Sequence, residues 1–258
     1  MGVRVIKILF LDLEISPLIV GVWGLANNNY ISPDKIMGNS EVLCWAAKWL
    51  GDEHTQFSSK KITSKTRMLK AMYRLLDQAD VVVSYNGNSF DLKILNKEFA
   101  LQGWGPPSPY KSVDILLAIR KKFRFTSNKL GYITQMLGLG DKTQHAGYQL
   151  WLDCMNPKSA DYETSWATME EYNIQDVALL ETLYARLKGW LPNHPNFSAH
   201  QDGAHVCPGC GGTHLEKRGF LMAISQRYQR YKCNDCGKWS RARSPIKVDR
   251  SNQLIGVN

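Results

Sequence analysis

Val5-Ile6-Lys7-Ile8-Leu9-Phe10-Leu11-Asp12-Leu13-Glu14 is an apolar run that ends on two carboxylates, and its reading decides the fold. Ile, Leu and Val at this density mark a buried strand, and Pro17 ends it. Asp12 and Glu14 stand two apart, so on a strand both side chains leave the same face of the sheet. Paired acids in an apolar strand repel each other and resist burial in the charged form. A bound cation removes that penalty. Taken alone, the pair is equally well read as one turn-capping acid and one solvated acid.

Outward from this strand, Ile19–Leu25 and Glu41–Leu50 read as further strands between Asn, Pro, Gly and Asp turn signals. Lys65–Gln78 is amphipathic at helical spacing, with Met68, Met72, Leu75 and Leu76 on one stripe. Val81–Tyr85 is a short β-branched strand, and Asp91–Leu101 a second helix. A strand end near Ser112–Ile115 precedes two helical stretches, Ile115–Lys122 and Leu130–Leu137, the latter closed by Gly138 and Gly140. Thr168 and Glu171 form a capping box that predicts a helix from there to about Trp190. Strands first, then helices alternating with strands, predict a mixed-sheet α/β domain over residues 1–190. Pro192 and Pro195 place a linker at 191–206, ahead of a small segment at 207–258.

Of 258 residues, 44% are hydrophobic and 21% charged, the balance of a globular chain. The apolar stretch Ile8–Leu13 is too short to span a bilayer, Ile6 spoils a Gly2 myristoylation signal, and no secretory leader is legible. A cytoplasmic protein with no membrane partner is expected. The net charge of +9 is uneven: residues 207–258 carry ten Lys or Arg against three Asp or Glu, which is +7 of the total. That concentration points to a polyanion, most simply nucleic acid; the plainer reading is a solubilising tail.

Two further acids complete a pattern. Asp91 opens a helix after the turn Tyr85-Asn86-Gly87-Asn88-Ser89-Phe90, and Asp176 lies four residues after Tyr172 on one helix face. Singly, the first is an ordinary helix N-terminal acid and the second a solvated one. Together, Asp12-Leu13-Glu14, Asn86-x-x-x-Phe90-Asp91 and Tyr172-x-x-x-Asp176 resemble, in order and spacing, the three motifs of the DEDDy group. That group belongs to the DnaQ-like 3′–5′ exonucleases of the ribonuclease-H-like superfamily. The sister DEDDh group has a His five residues before the last Asp, where this chain has Glu171. Ile15-Ser16-Pro17, Trp23-Gly24-Leu25, Ala46-Ala47-Lys48-Trp49-Leu50-Gly51 and Ser127-Asn128-Lys129-Leu130-Gly131 resemble the stand-alone bacterial and phage exonucleases related to family B polymerase proofreading domains. The resemblance covers about residues 5–190. Ile15 stands where Thr is more usual, a difference at a substrate contact that removes no metal ligand.

The resemblance implies a ribonuclease-H-like mixed β-sheet flanked by helices. It implies removal of nucleotides from 3′ ends by two Mg²⁺ or Mn²⁺ ions held by Asp12, Glu14, Asp91 and Asp176. Hard cations of this kind prefer carboxylate oxygens. Tyr172 would orient the attacking water, since an unperturbed Tyr of pKa about 10 is a poor base at neutral pH. Asn86 and Phe90 are expected near the terminal nucleotide; Asn88, Asp114 and Lys142 are weaker candidates, with Asp114 better read as a helix N-cap. Single-stranded DNA or 3′ ends are the favoured substrate. RNA is the alternative within the same chemistry, and a catalytically silent nucleic-acid-binding scaffold the alternative outside it. Replication or recombination proteins are the expected protein partners.

Cys207-Pro208-Gly209-Cys210-Gly211 and Cys233-Asn234-Asp235-Cys236-Gly237 are two Cys-x-x-Cys units with 22 residues between them. This spacing predicts one structural Zn²⁺ in a closed thiolate tetrahedron, that is, a zinc ribbon. The segment resembles the zinc ribbons of transposases and other nucleic-acid enzymes. Cys44 and Cys154 remain, each in apolar surroundings. Within the ribbon, Arg227, Arg230, Lys232, Lys238 and Arg241 are candidates for phosphates. Trp239, with Tyr228 or Tyr231, is a candidate for stacking on bases; the plainer reading makes these aromatics the ribbon's own small core.

Overall fold

The computed structural model describes residues 6–24, 30–140, 147–192, 194–200, 205–247 and 254. The chain divides into two compact units, Ile6–Leu183 and the residues from Tyr184 onward.

The first unit is built on β1 (Ile8–Ile15), whose first four residues are buried. β2 (Ile19–Val20) and β3 (Ile36–Gly38) form a separate two-stranded ribbon. They are followed by β4 (Val42–Trp49) and β5 (Gln56–Ser59), then helix α1 (Lys65–Gln78), β6 (Val81–Ser84) and helix α2 (Asp91–Leu101). β7 (Lys111–Asp114) leads into α3 (Ile115–Lys122), α4 (Leu130–Met136), α5 (Tyr148–Met155) and the long α6 (Tyr162–Leu187). The main sheet has the order β5-β4-β1-β6-β7. β4 runs antiparallel to both β1 and β5, while β1, β6 and β7 are parallel.

Alternation along β1 divides the core. Leu9, Leu11 and Leu13 join Met68, Met72 and Leu76 of α1 and Leu95 and Phe99 of α2. A second cluster, Leu43, Cys44, Leu150, Cys154, Trp166 and Met169, brings α5 and α6 together with β4. Asp12 and Glu14 have the opposite parity to the leucines and make side-chain contacts with α6 and α5. The expected mixed sheet flanked by helices is therefore present, and three helices begin and end where their apolar stripes do.

Two expectations need correction. The capping box at Thr168 starts nothing: α6 begins at Tyr162. Its apolar stripe runs upstream through Trp166, and the Thr164 and Thr168 hydroxyls donate to the carbonyls of Asp161 and Thr164. The strand at Ile19–Leu25 shrinks to Ile19–Val20; Trp23 is fully exposed and Leu25 lies outside the described residues. α5, β3 and β5 were not foreseen.

In the second unit, β8 (Leu215–Met222), β9 (Arg227–Cys233) and β10 (Trp239–Arg241) form an antiparallel sheet in the order β10-β9-β8. Among the described residues no helix is long and apolar enough to cross a membrane.

Candidate functional site

Parallel pairing sets the site. β6 pairs with β1 only from Ile8↔Val81 to Phe10↔Val83 and ends at Ser84, which pairs with β7 alone. The β1 edge beyond Phe10 thus has no strand on that side, and its backbone donors need other partners. Leu13 N–H donates to Asp91 Oδ1 at 3.1 Å, across 78 residues of sequence. This bond ties the first residue of α2 to the β1 backbone at Leu13, the residue between Asp12 and Glu14 in sequence. α6 is tied to the same strand by Asn173, whose Nδ2 donates to Asp12 Oδ2 at 2.8 Å. α5 is tied to it by Trp151, whose indole N–H donates to Glu14 Oε2 at 3.2 Å. Trp151 also meets the Tyr172 ring edge to face, with centroids 6.2 Å apart. Asp176 is one helical turn beyond Asn173 and 4% exposed. The site lies at the carboxyl ends of the parallel strands, where α/β sheets commonly bind ligands.

The turn after β6 is held from β7. Asp114, the last residue of β7, accepts from Asn86 N at 3.1 Å and Asn88 N at 3.2 Å. It also caps α3 by accepting from Leu117 N, as its sequence position predicts. Asn86 takes the left-handed region at φ 71°, a conformation Asn tolerates. Phe90 precedes α2 and is 38% exposed. A Cβ on Gly87 would stand 2.1 Å from Ser84 Oγ and 2.5 Å from its Cβ. Gly87→Ala is therefore expected to lower the melting temperature by several degrees, about the effect of 1–3 kcal/mol of overpacking. An unchanged thermal melt would show that the turn shifts freely.

Electrostatics follow from burial. Asp91 is 3% exposed, and burial raises its carboxyl to a pKa of about 7 against the opposing Leu13 N–H, with the Asp114 charge adding to the rise. Cys44 faces Glu14 across the β1/β4 pair; burial and then the Glu14 and Asp12 charges push its thiol well up. Burying acids that resist ionisation is unfavourable unless a cation shares the site. Four oxygen donors of this type fit hard divalent cations. Beside them, Ile15, Ser16, Pro17, Leu18, Tyr148 and Trp151 line a largely apolar cavity of about 600 Å³.

The cysteines are gathered more tightly. Among the described residues, Cys207, Cys210, Cys233 and Cys236 are the group of three or more ligand residues whose donor atoms all lie within 4.8 Å; the carboxylates are more widely spread. Cys207 Sγ is 3.6 Å from Cys236 Sγ, and Cys210 Sγ is 3.6 Å from Cys233 Sγ. A tetrahedron with Zn–S bonds of about 2.3 Å has edges close to this, and a disulfide is far shorter. The two knuckles repeat one another. Gly211 N donates to Cys207 O and Gly237 N to Cys233 O, with both glycines left-handed at φ 75° and 72°. Cys207 N and Cys233 N donate to Gly212 O and Lys238 O. Gly209 N donates to Cys207 Sγ and Gly212 N to Cys210 Sγ. Cys44 and Cys154 are buried and free of disulfides.

The basic candidates separate by strand parity. Arg230, Lys232, Trp239 and Arg241 share one face of the second sheet, in the register Trp239↔Lys232 and Arg241↔Arg230. Arg227 and Lys238 do not join them. Arg227 pairs with Met222 and lies over the Phe220 ring, while Lys238 Nζ donates to Leu191 O at 3.0 Å. Lys142 lies outside the described residues. Trp151, Asn173 and the turn-holding role of Asp114 were missed; only Asp114 carried a sequence signal, as an N-cap.

Among solved structures, a family B DNA polymerase from the hyperthermophilic archaeon Pyrobaculum calidifontis is similar to this chain at a TM-score of 0.53 and 16% identity. The match covers 72% of this chain but 25% of the polymerase, so it shows the fold over a quarter of that protein. No match was found among curated proteins. The family description RNase_H superfamily matches residues 39–188, a span that includes Asp91, Tyr172 and Asp176 and begins after Asp12 and Glu14. Nucleases of this kind use divalent metals. With 150 of its 258 residues matched and the five-stranded mixed sheet in place, the chain belongs to the RNase_H superfamily.

Proposed function

We propose that this protein is a metal-dependent 3′–5′ exonuclease, with DNA as the favoured polymer. In this reading Asp12, Glu14, Asp91 and Asp176 hold two Mg²⁺ or Mn²⁺ ions, and the four cysteines hold one structural Zn²⁺ in a nucleic-acid-binding ribbon. The observation that supports it is the bond from Leu13 N–H to Asp91, a buried carboxyl held on the strand that carries Asp12 and Glu14. The 3′–5′ polarity rests on the motif resemblance, the Tyr172-x-x-x-Asp176 spacing above all.

When bound, the divalent ions would lower the pKa of the attacking water and stabilise charge in an in-line displacement at phosphorus. The protein's own groups set the geometry. Leu13 N–H, Asn173 and Trp151 fix one oxygen each of Asp91, Asp12 and Glu14, which limits reorganisation during the reaction. The Tyr172 hydroxyl orients water rather than abstracting its proton.

The test is digestion of single-stranded DNA and RNA of equal sequence, labelled at the 5′ end, with Mg²⁺ or Mn²⁺ and with EDTA as control. A metal-dependent ladder shortening from the 3′ end establishes the activity and selects the polymer. Tight binding of both polymers without cleavage would replace the nuclease by a binding scaffold. A narrower prediction concerns Trp151. Trp151→Phe keeps a ring against Tyr172 but loses the bond to Glu14, and a charge-assisted bond is worth about 1.5–3 kcal/mol. The expected result is a kcat lowered about tenfold or more with KM little changed. Equal kcat in the two proteins would remove Trp151 from the positioning of Glu14.

A further inference from the structure

The sheet of the second unit has two unlike faces. Register places Cys233, Leu215 and Tyr231 on one, and there Tyr231 stacks on His205 at 6.0 Å. The other carries Tyr228, Arg230 and Lys232 of β9 with Trp239 and Arg241 of β10. On this face Arg230 lies directly opposite Arg241. Like charges in that position destabilise a sheet. The acid on the face, Glu216 opposite Lys232, is bonded to Arg218 at 2.8 Å and does not answer the arginine pair. Each guanidinium instead lies over a ring: Arg230 Cζ is 4.7 Å from the Trp239 centroid and Arg241 Cζ 4.0 Å from that of Tyr228. The result is a row of planar groups, Trp239, Arg230, Arg241 and Tyr228, with Trp239 48% exposed at one end.

We infer that this face is a binding platform for single-stranded nucleic acid, with phosphates on Arg230, Arg241 and Lys232 and a base stacked on Trp239. The inference deepens the nucleic-acid reading proposed above by naming the face and the form of the polymer. A polyanion supplies the charge that the opposed arginines lack. The aromatic row selects the single strand, because a duplex keeps its bases stacked on one another and offers this face phosphates alone.

Binding is measured by fluorescence anisotropy of a 5′-labelled oligothymidylate against salt, using the full chain with Asp12→Asn to prevent digestion. This readout needs no catalysis, so a failed nuclease reading and a failed platform are told apart. Arg230→Gln with Arg241→Gln is expected to weaken binding tenfold or more at 0.1 M salt. The slope of log affinity on log salt should become shallower by about 1.4, at roughly 0.7 for each single-strand phosphate no longer neutralised. Trp239→Ala is expected to weaken binding at least fivefold with the slope unchanged, and Trp239→Phe to restore most of it. Lys217→Gln, on the other face, should change neither. Zinc content and circular dichroism check folding, and the single variant Arg241→Gln, at an exposed position, serves if the double one fails. Folded variants with unchanged affinity and slope would overturn the platform. So would a loss as large from Lys217→Gln, or tighter binding of a duplex than of the single strand.

Discussion

Asp91→Asn is expected to abolish most of the nuclease activity and, in the same protein stripped of divalent metal, to raise stability near neutral pH. The first effect follows from the proposed ligand role: losing one preorganised electrostatic group costs about two to three orders of magnitude in rate. The second follows from burial. Asp91 has a pKa of about 7 in the folded chain, against about 3.9 for an unperturbed Asp. Between these values the folded state holds a proton that the unfolded state has released. Stability of the metal-free protein therefore falls as pH rises from about 4 to 7, and the loss persists above 7. Asn carries no charge and can still accept from Leu13 N–H, so its variant escapes that loss. Thermal melts in EDTA at pH 5 and pH 8 decide the matter: the variant should gain on the parent more at pH 8 than at pH 5. Mg²⁺ or Mn²⁺ should stabilise the parent more at pH 8 than at pH 5, and the variant weakly at both. Equal pH slopes for the two proteins would show that Asp91 is not the buried acid that titrates.

These bonds also show what was legible in the chain and what was not. α1, α2 and α3 have the limits that local patterning predicts, because an apolar stripe is written within a few residues, with Ser64 capping α1 and Asp114 capping α3. Asp12, Glu14, Asp91 and Asp176 were legible as candidates through their order and spacing. What holds them was not. Trp151 reaches Glu14 across 137 residues and Asn173 reaches Asp12 across 161, and no local pattern encodes such pairs. α5, which carries Trp151, is eight residues long and starts at a left-handed Gly147 without a side-chain cap, so it sends no start signal. β5 is a four-residue edge strand, Gln-Phe-Ser-Ser, with no β-branched residue, and exists because β4 offers it a partner. In the second sheet the alternation was legible. Its consequence, Arg opposite Arg, depends on the β9/β10 register, which the knuckle between them sets.

That knuckle carries the other large effect. Cys210→Ser is expected to abolish binding of one Zn²⁺ per chain and to unfold the segment from Cys207 to Arg241, leaving the first unit folded. Without metal the Cys207 and Cys210 thiols stay protonated at neutral pH: burial raises the first to about 11, and the second higher still. Four sulfurs within 4.8 Å have no attraction for one another until a cation ionises and binds them. The remaining core of the small sheet is thin, since Phe220, Leu221, Met222 and Ile224 are largely exposed. Structural zinc contributes about 10–16 kcal/mol in comparable small sites, more than a segment of this size gains from apolar burial. Serine in place of one thiolate leaves three soft ligands and a weak fourth. Histidine rescue is not expected, because His214 Nδ1 is already bonded to Asp235 at 2.7 Å and His205 is stacked on Tyr231. The measurement is zinc stoichiometry by mass spectrometry together with limited proteolysis. The variant, and the parent treated with a chelator, should both be cut after Cys207 while a fragment covering Ile6–Leu183 persists. Full zinc content and unchanged protease resistance in Cys210→Ser would mean that the four sulfurs are brought together by packing alone. In that case the platform on the opposite sheet face would have to be held by the strands themselves.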